Sequence, residues 1–140
     1  MAYGNSSIDQ YRKSAVTTAS PLQLVIMLYD GALRFIDNAK TALDEGDRFK
    51  QNYASQKAQK IVAELMACLD MQKGGEIAQN LFALYTFVYN RLVEANMEDR
   101  KDYYQQAEKV LADLKSSWVS IESSQREGVA AVTPDVQHVA

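Results

Sequence analysis

The stretch that follows Ser20-Pro21 carries apolar residues on two sides of one predicted helix. At about 100° per residue, two stripes form. The first stripe contains Leu22, Val25, Ile26, Tyr29, Leu33 and Ile36, and the second contains Leu24, Leu28, Gly31 and Phe35. Together they cover an arc of roughly 200°, whereas a surface helix needs little more than about 100°. Because a chain of 140 residues offers no large interior, the excess indicates a surface kept for a partner.

Start and stop signals divide the chain into four predicted helices. Ser20 is a suitable N-cap and Pro21 suits the first helical position. Gly46 is a plausible C-terminal cap, and Asp47 can cap the next helix. Gly74-Gly75 interrupts the chain again, and Asp99 opens the last helix. The predicted helices span about 21–43, 48–71, 76–96 and 99–123.

The four predicted helices differ in the width of their apolar faces. The second and fourth have narrow stripes at helical spacing. These stripes are Ala54, Ala58, Ile61, Leu65, Cys68 and Leu69 in the second helix, and Tyr104, Ala107, Leu111, Leu114, Trp118 and Ile121 in the fourth. The third has a predicted core face of Ile77, Leu81, Leu84, Val88 and Leu92, which Ala78, Phe82, Tyr85, Tyr89 and Val93 widen to roughly 180°. Two wide and two narrow helices predict an open hydrophobic groove beside the first and third.

Four helices with short connections favour an all-α fold, an antiparallel four-helix bundle. Residues 1–19 are polar and small, which predicts a mobile N-terminal arm, with a short extra helix as an alternative. Residues 20–123 form the predicted bundle. Residues 124–140 contain Gly128 and Pro134 among small residues and are predicted to be a disordered tail.

The pattern alone leaves the use of the extra apolar face open. Core packing explains Ile26, Leu33, Leu81, Leu84, Val88, Leu114 and Trp118. For Leu24, Leu28, Phe35, Phe82, Tyr89 and Val93, structural and binding roles explain the spacing equally well. A homodimer seam, or a bundle covered by its own arm and tail, would give the same pattern.

Composition and charge exclude several functional classes. A net charge of −3 and a pI near 5.1 argue against nucleic-acid binding. No run reaches a membrane span, and no segment resembles a signal peptide, so we expect a cytoplasmic protein. Cys68 and His138 are the only residues of their types, which excludes a Cys/His metal cluster, and no phosphate loop is present. Asp30, Asp37 and Asp44 repeat every seven residues as a solvated face. We therefore expect neither an enzyme nor a cofactor.

Three blocks of sequence resemble the FliS family of flagellar secretion chaperones, the export chaperones for flagellin. The most specific is Thr18-Ala-Ser-Pro-Leu-Gln-Leu-Val-Ile-Met-Leu-Tyr-Asp-Gly-Ala-Leu33, similar to the family's Ala-Ser-Pro-x-x-Leu-Ile-x-x-Leu-Tyr-Asp-Gly signature. The second combines Ala63-Glu-Leu and Leu69-Asp70 with Gly74-Gly-Glu-Ile-Ala-x-Asn-Leu81 and Leu84-Tyr85. The third runs from Leu92 to Asn96 and includes the helix ending in Trp118. The resemblance covers about residues 8–120.

The resemblance implies a helical bundle in the bacterial cytoplasm that binds the C-terminal segment of flagellin. It also implies delivery of the loaded substrate to the cytoplasmic domain of the flagellar export gate. Ile8 and Tyr11 match an apolar residue and a tyrosine in the family's arm, which covers the flagellin site or contacts the gate. Two alternatives to the chaperone hypothesis stay open: a helical adaptor or regulator that sequesters another helical partner such as an anti-sigma factor, and a structural homodimer. A co-chaperone is a further candidate partner.

We predict a flagellin-binding site in the hydrophobic groove, without ATP or metal. An amphipathic segment laid in such a groove is a common recognition mode, in which spaced apolar anchors give the affinity. The predicted binding residues are Leu24, Leu28, Phe35, Phe82, Tyr85, Tyr89 and Val93.

Overall fold

The structure is a computed structural model that describes the backbone of residues 20–139 and the side chains of residues 20–127. Within this range it contains four α-helices and no strand. They are α1 (Pro21–Glu45), α2 (Arg48–Ala67), α3 (Gly75–Glu98) and α4 (Lys101–Val139).

Local capping chemistry sets the first two helix boundaries where the sequence predicts them. The Ser20 hydroxyl accepts a hydrogen bond from the Gln23 amide at 3.1 Å, and the Gln23 side chain accepts one from the Ser20 amide at 3.0 Å. This reciprocal capping box satisfies two amides that a helix start leaves without partners. Gly46 ends α1 with a φ of 71°, a left-handed conformation that glycine adopts at little cost. Asp47 then caps α2 by accepting from the Lys50 amide at 3.0 Å.

The helices form a ring in which each one packs against two neighbours. The packed pairs are α1–α2, α2–α3, α3–α4 and α4–α1, so that α1 and α3 are diagonal. Three ion pairs join α1 to α4, namely Asp30–Lys115 (2.5 Å), Lys40–Glu108 (2.8 Å) and Asp44–Lys101 (2.7 Å). The α1 numbers rise as the α4 numbers fall, and this confirms the predicted antiparallel bundle.

A polar cluster closes the end of the bundle where the α1–α2 and α3–α4 turns meet. Asp99 ends α3 with a φ of 56°. Arg48 at the start of α2 donates hydrogen bonds to the Asp99 carboxylate and to the Asn96 carbonyl oxygen, both at 2.7 Å. Gln51 donates to the same carboxylate at 3.1 Å. The cluster therefore fixes α2 against the α3–α4 turn.

The core stripe of α3 differs from the predicted one. The fully or nearly fully buried residues are Ala78, Tyr85, Val88, Leu92 and Ala95. Ile77 is 71% exposed and Leu84 is 38% exposed, so the prediction that both face the core is wrong. Since α3 is apolar around most of its circumference, its periodicity fits two stripes about 100° apart. Contacts with the neighbouring helices bury Val88 and Leu92 from the predicted stripe and Ala78 and Tyr85 from the other.

The ends of α2 and α4 also differ from the prediction. The second helix ends at Ala67, and Cys68 in its cap is exposed instead of buried. The last helix continues to Val139, past the predicted end near Ser123. Residues 124–127 are polar residues with ordinary helix propensity, and Glu122 and Arg126 form a pair at 2.6 Å with helical i,i+4 spacing. Residues 124–127 therefore contain no strong stop signal. Ile121 is 44% exposed, so it lies outside the α4 core seam.

Candidate functional site

Large apolar side chains lie exposed on several faces of the bundle, but none of them belongs to α1. The exposed set is Phe49, Tyr53, Met71, Ile77, Phe82, Leu84, Phe87, Met97, Val119 and Ile121. The wide apolar arc of α1 is instead largely covered, because its two sides pack against α2 and α4. Much of the wide apolar arc of α1 is thus used for packing within the ring of four helices and is not left for a partner.

The predicted residues Leu24, Leu28 and Phe35 form one stripe on α1 that faces α2. Gly31 lies on the same stripe, and a Cβ atom at Gly31 would lie 3.2 Å from Ile61 Cδ1 of α2. The missing side chain therefore allows a close approach of the two helices, as glycine commonly does. All three apolar side chains remain partly accessible, and Leu28 and Phe35 also pack against the buried core.

The α1 stripe leads into a cavity of about 430 Å³ between α1 and α2. Its lining includes Phe35, Thr41 and Ala42 from α1 and Phe49, Tyr53 and Ala54 from α2. Phe49 is 81% exposed and Tyr53 is 48% exposed. Sequence reasoning missed both aromatic residues because they lie outside the regular α2 stripe. Their spacing of four residues, which places them on one face of α2, is the signal that could have found them.

The predicted residues Phe82, Tyr89 and Val93 form a stripe on the α2-facing side of α3. Asn96, seven residues beyond Tyr89, donates a hydrogen bond to Asn52 of α2 at 2.8 Å, which places this side of α3 against α2. Phe82 is 42% exposed, whereas Tyr89 and Val93 are partly buried. The α1 and α3 stripes therefore flank α2 on opposite sides. They do not line one groove between the first and third helices, since those helices are diagonal.

Tyr85 is a core residue and does not belong to either stripe. It is 2% exposed, and its phenol hydrogen-bonds the phenol of Tyr29 at 2.5 Å. Trp118 of α4 donates from Nε1 to the Tyr29 phenol oxygen at 3.0 Å. Burial raises the pKa of Tyr85, and the neighbouring Tyr29 adds to this rise. The prediction that Tyr85 contacts a partner is thus corrected, because its polar atom already has a partner inside the bundle.

A further apolar strip lies between α3 and α4. It includes Ile77, Leu84 and Phe87 of α3 and Ile121 of α4, each at least 38% exposed. Arg91 marks the other end of this strip, with its guanidinium 5.4 Å from the Phe87 ring centroid and 4.3 Å from that of Tyr103 on α4. The strip is therefore on the opposite side of α3 from Phe82.

The acidic side chains of the described residues are dispersed or paired with cations. In residues 20–127, no group of three or more His, Cys, Asp or Glu side chains could hold a metal ion. The carboxylates predicted to be a solvated face include Asp30 and Asp44, which form ion pairs with lysines of α4. None of the four described helices has both the length and the apolar character of a membrane span. Ile8 and Tyr11 lie outside the described residues.

Comparison with known proteins decides the family. The family model described as "Flagellar protein FliS" matches residues 4–125, which include α1, α2, α3 and most of α4. The chain belongs to the FliS family. This confirms the resemblance that the Ser20-Pro21 segment and the later blocks indicate.

Several FliS relatives are similar over most of their length. A flagellar secretion chaperone FliS of Salmonella typhimurium is 38% identical over 121 residues, which covers 86% of this chain and 87% of the relative. The relative of the same name from Bacillus subtilis is 32% identical over 117 residues, covering 84% and 86%. One from Vibrio cholerae is 32% identical over 120 residues, covering 86% and 85%. The chain is thus similar over most of its length to proteins named for a chaperone role in flagellar secretion.

Proposed function

We propose that this protein is a bacterial cytosolic export chaperone that binds the C-terminal segment of flagellin and prevents its premature polymerisation. It would then deliver the loaded substrate to the cytoplasmic domain of the flagellar export gate. The observation that carries the proposal is a pair of accessible apolar stripes flanking α2 in a chain of the FliS family. Ile8 and Tyr11 remain predicted contacts of the arm with the gate or with the flagellin site.

The position of the two stripes suggests how a long segment would bind. Leu24, Leu28 and Phe35 lie on one side of α2, and Phe82, Tyr89 and Val93 lie on the other. One continuous segment that uses both stripes must cross α2, so we expect two apolar contact regions joined by a short connection. Such a segment covers its own polymerising faces while it covers the stripes of the chaperone.

Apolar burial alone provides enough free energy for this binding. About 1,000 Å² of buried apolar surface gives a gross gain of about 25 kcal/mol. Ordering of the segment and loss of translational and rotational freedom offset most of this gain. A net affinity in the submicromolar range, about −8 kcal/mol or stronger, requires only the remaining fraction. The mechanism therefore needs neither nucleotide hydrolysis nor a covalent step.

A seeded polymerisation assay tests the proposal. An equimolar amount of the full chain should block the growth of flagellin filaments from seeds, followed by turbidity. Excess C-terminal flagellin peptide should restore growth by occupying the chaperone, whereas a scrambled peptide of the same composition should not. Each peptide alone is added to the seeds as a control. Unaffected filament growth would contradict the proposal, and so would light scattering that shows a dimer incapable of binding the peptide.

A further inference from the structure

The cavity between α1 and α2 combines a concave space with a strongly exposed aromatic ring, which the two apolar stripes do not. We call it the aromatic pocket, and define it by Phe35, Thr41, Ala42, Phe49 and Tyr53. Its floor is formed by small side chains such as Ala42, which is 3% exposed, while Phe49 projects into solvent with 81% of its surface accessible. An exposed phenylalanine beside a cavity of about 430 Å³ is a typical arrangement for holding a large apolar side chain.

The charges around the aromatic pocket are mainly positive. The Arg34 guanidinium lies 5.7 Å from the Phe35 ring centroid, and the Lys57 ammonium lies 5.3 Å from the Tyr53 ring centroid. Lys50 and Glu45 both line the pocket itself, and the Asp47 carboxylate lies 3.9 Å from the Lys50 ammonium. Three cations thus lie at the pocket against two carboxylates, a small positive excess in a chain whose net charge is −3. This local reversal of sign favours a partner with carboxylates next to its apolar anchor.

We propose that the aromatic pocket is a second docking site, which takes one aromatic or large aliphatic side chain from an acidic amphipathic helix of a partner protein. The anchor enters between Phe35, Phe49 and Tyr53, and the carboxylates of the partner pair with Arg34, Lys50 and Lys57. The site shares only Phe35 with the stripes proposed for flagellin. Phe49 and Tyr53 belong to the pocket alone, so a substitution at either residue separates the two sites.

Two synthetic amphipathic peptides of equal length test the proposal by calorimetry with the full chain. Both carry one central phenylalanine, flanked by glutamates in one peptide and by lysines in the other. The glutamate peptide should bind at least about tenfold more tightly, because its charges complement the pocket. Phe49→Ser should weaken it by about tenfold or more, since the exposed ring loses its contact with the anchor.

Reversing the charge of two lysines distinguishes ion pairing with the peptide from nonspecific apolar binding. The double variant Lys50→Glu/Lys57→Glu should reverse the preference and bind the lysine peptide better. Phe87→Ser is the matched control, because it removes an exposed phenylalanine from the α3–α4 side and should leave both affinities unchanged. Circular dichroism verifies that each variant keeps the helical content of the wild type.

Four results would overturn the proposal. They are equal binding of the two peptides, an unchanged affinity in Phe49→Ser, and a dimer of the wild type that Phe49→Ser dissociates in light scattering. The fourth is a parallel loss of flagellin-peptide binding in Phe49→Ser, which would make the pocket part of the flagellin surface. Retained flagellin binding with lost glutamate-peptide binding supports a separate site.

Discussion

The phenol of Tyr29 on α1 hydrogen-bonds the phenol of Tyr85 on α3 at 2.5 Å, across the diagonal of the bundle. Both residues are fully or nearly fully buried, and Trp118 of α4 donates a further hydrogen bond to Tyr29. One polar network thus joins three of the four helices. Because buried polar groups must be paired, the network favours one mutual register of these helices over alternatives.

Tyr85→Phe should lower the free energy of unfolding by about 1–2 kcal/mol, since Tyr29 loses a buried hydrogen-bond partner. Urea denaturation measures the change. Combining it with Tyr29→Phe should give a non-additive result, because the two phenols interact directly. Flagellin-peptide affinity should not change. Weakened peptide binding at an unchanged unfolding free energy would instead place Tyr85 at the binding surface.

The buried phenols of Tyr29 and Tyr85 should also make the stability of the protein decrease at alkaline pH. Burial raises the pKa of Tyr29 above its ordinary value of 10.0, against the opposing effect of hydrogen bonds with Tyr85 and Trp118. Burial raises the pKa of Tyr85 as well. The folded state therefore retains protons that the unfolded state releases, so this contribution is present below about pH 10 and is lost as the pH rises further.

Urea denaturation at several pH values from about 8 to 11 measures this dependence. The wild type should lose stability above about pH 10 more steeply than the double variant Tyr29→Phe/Tyr85→Phe. The difference between the two proteins in unfolding free energy is compared at each pH, because lysine titration affects both proteins alike. Identical slopes would show that the phenols ionise as easily in the folded state as in the unfolded state.

The close approach of α1 and α2 at Gly31 predicts that the effects of substitutions at Gly31 and Ile61 are coupled. Gly31→Ala should gain up to about 1 kcal/mol in helix propensity, but the new Cβ atom would meet Ile61 Cδ1 at 3.2 Å. We expect a nearly neutral single variant, measured by thermal unfolding. In an Ile61→Val background, which removes that methyl group, the same substitution should become stabilising. Equal effects in the two backgrounds would mean that the contact does not restrict residue 31.

Local signals were sufficient for much of the fold. Ser20, Gly46 and Asp47 act as the caps that the sequence predicts, because capping involves only a few neighbouring residues. The core face of α3 was not predictable in the same way. Ile77 and Tyr85 belong to two competing apolar stripes on one helix, and the choice depends on the partner phenol of Tyr29 on another helix.

The candidate site shows the same limit. Phe35 and Phe82 were identified as accessible apolar residues from their helical spacing, but their separation by α2 follows from the order of helices in the ring. Phe49 and Tyr53 were missed because the cavity beside them is formed by two helices. A single helical pattern contains no information about a space between two elements.

One calorimetric comparison tests the proposed binding of flagellin to the stripes flanking α2. The full chain, Phe82→Ser and Phe87→Ser are titrated with the C-terminal flagellin segment. The two phenylalanines lie on opposite sides of α3 and are 42% and 40% exposed, so neither substitution should cost much stability. We predict that Phe82→Ser weakens binding by about tenfold or more, while Phe87→Ser binds like the wild type. Unchanged affinity in Phe82→Ser, or a loss confined to Phe87→Ser, would contradict flagellin binding at the α2-facing stripe of α3.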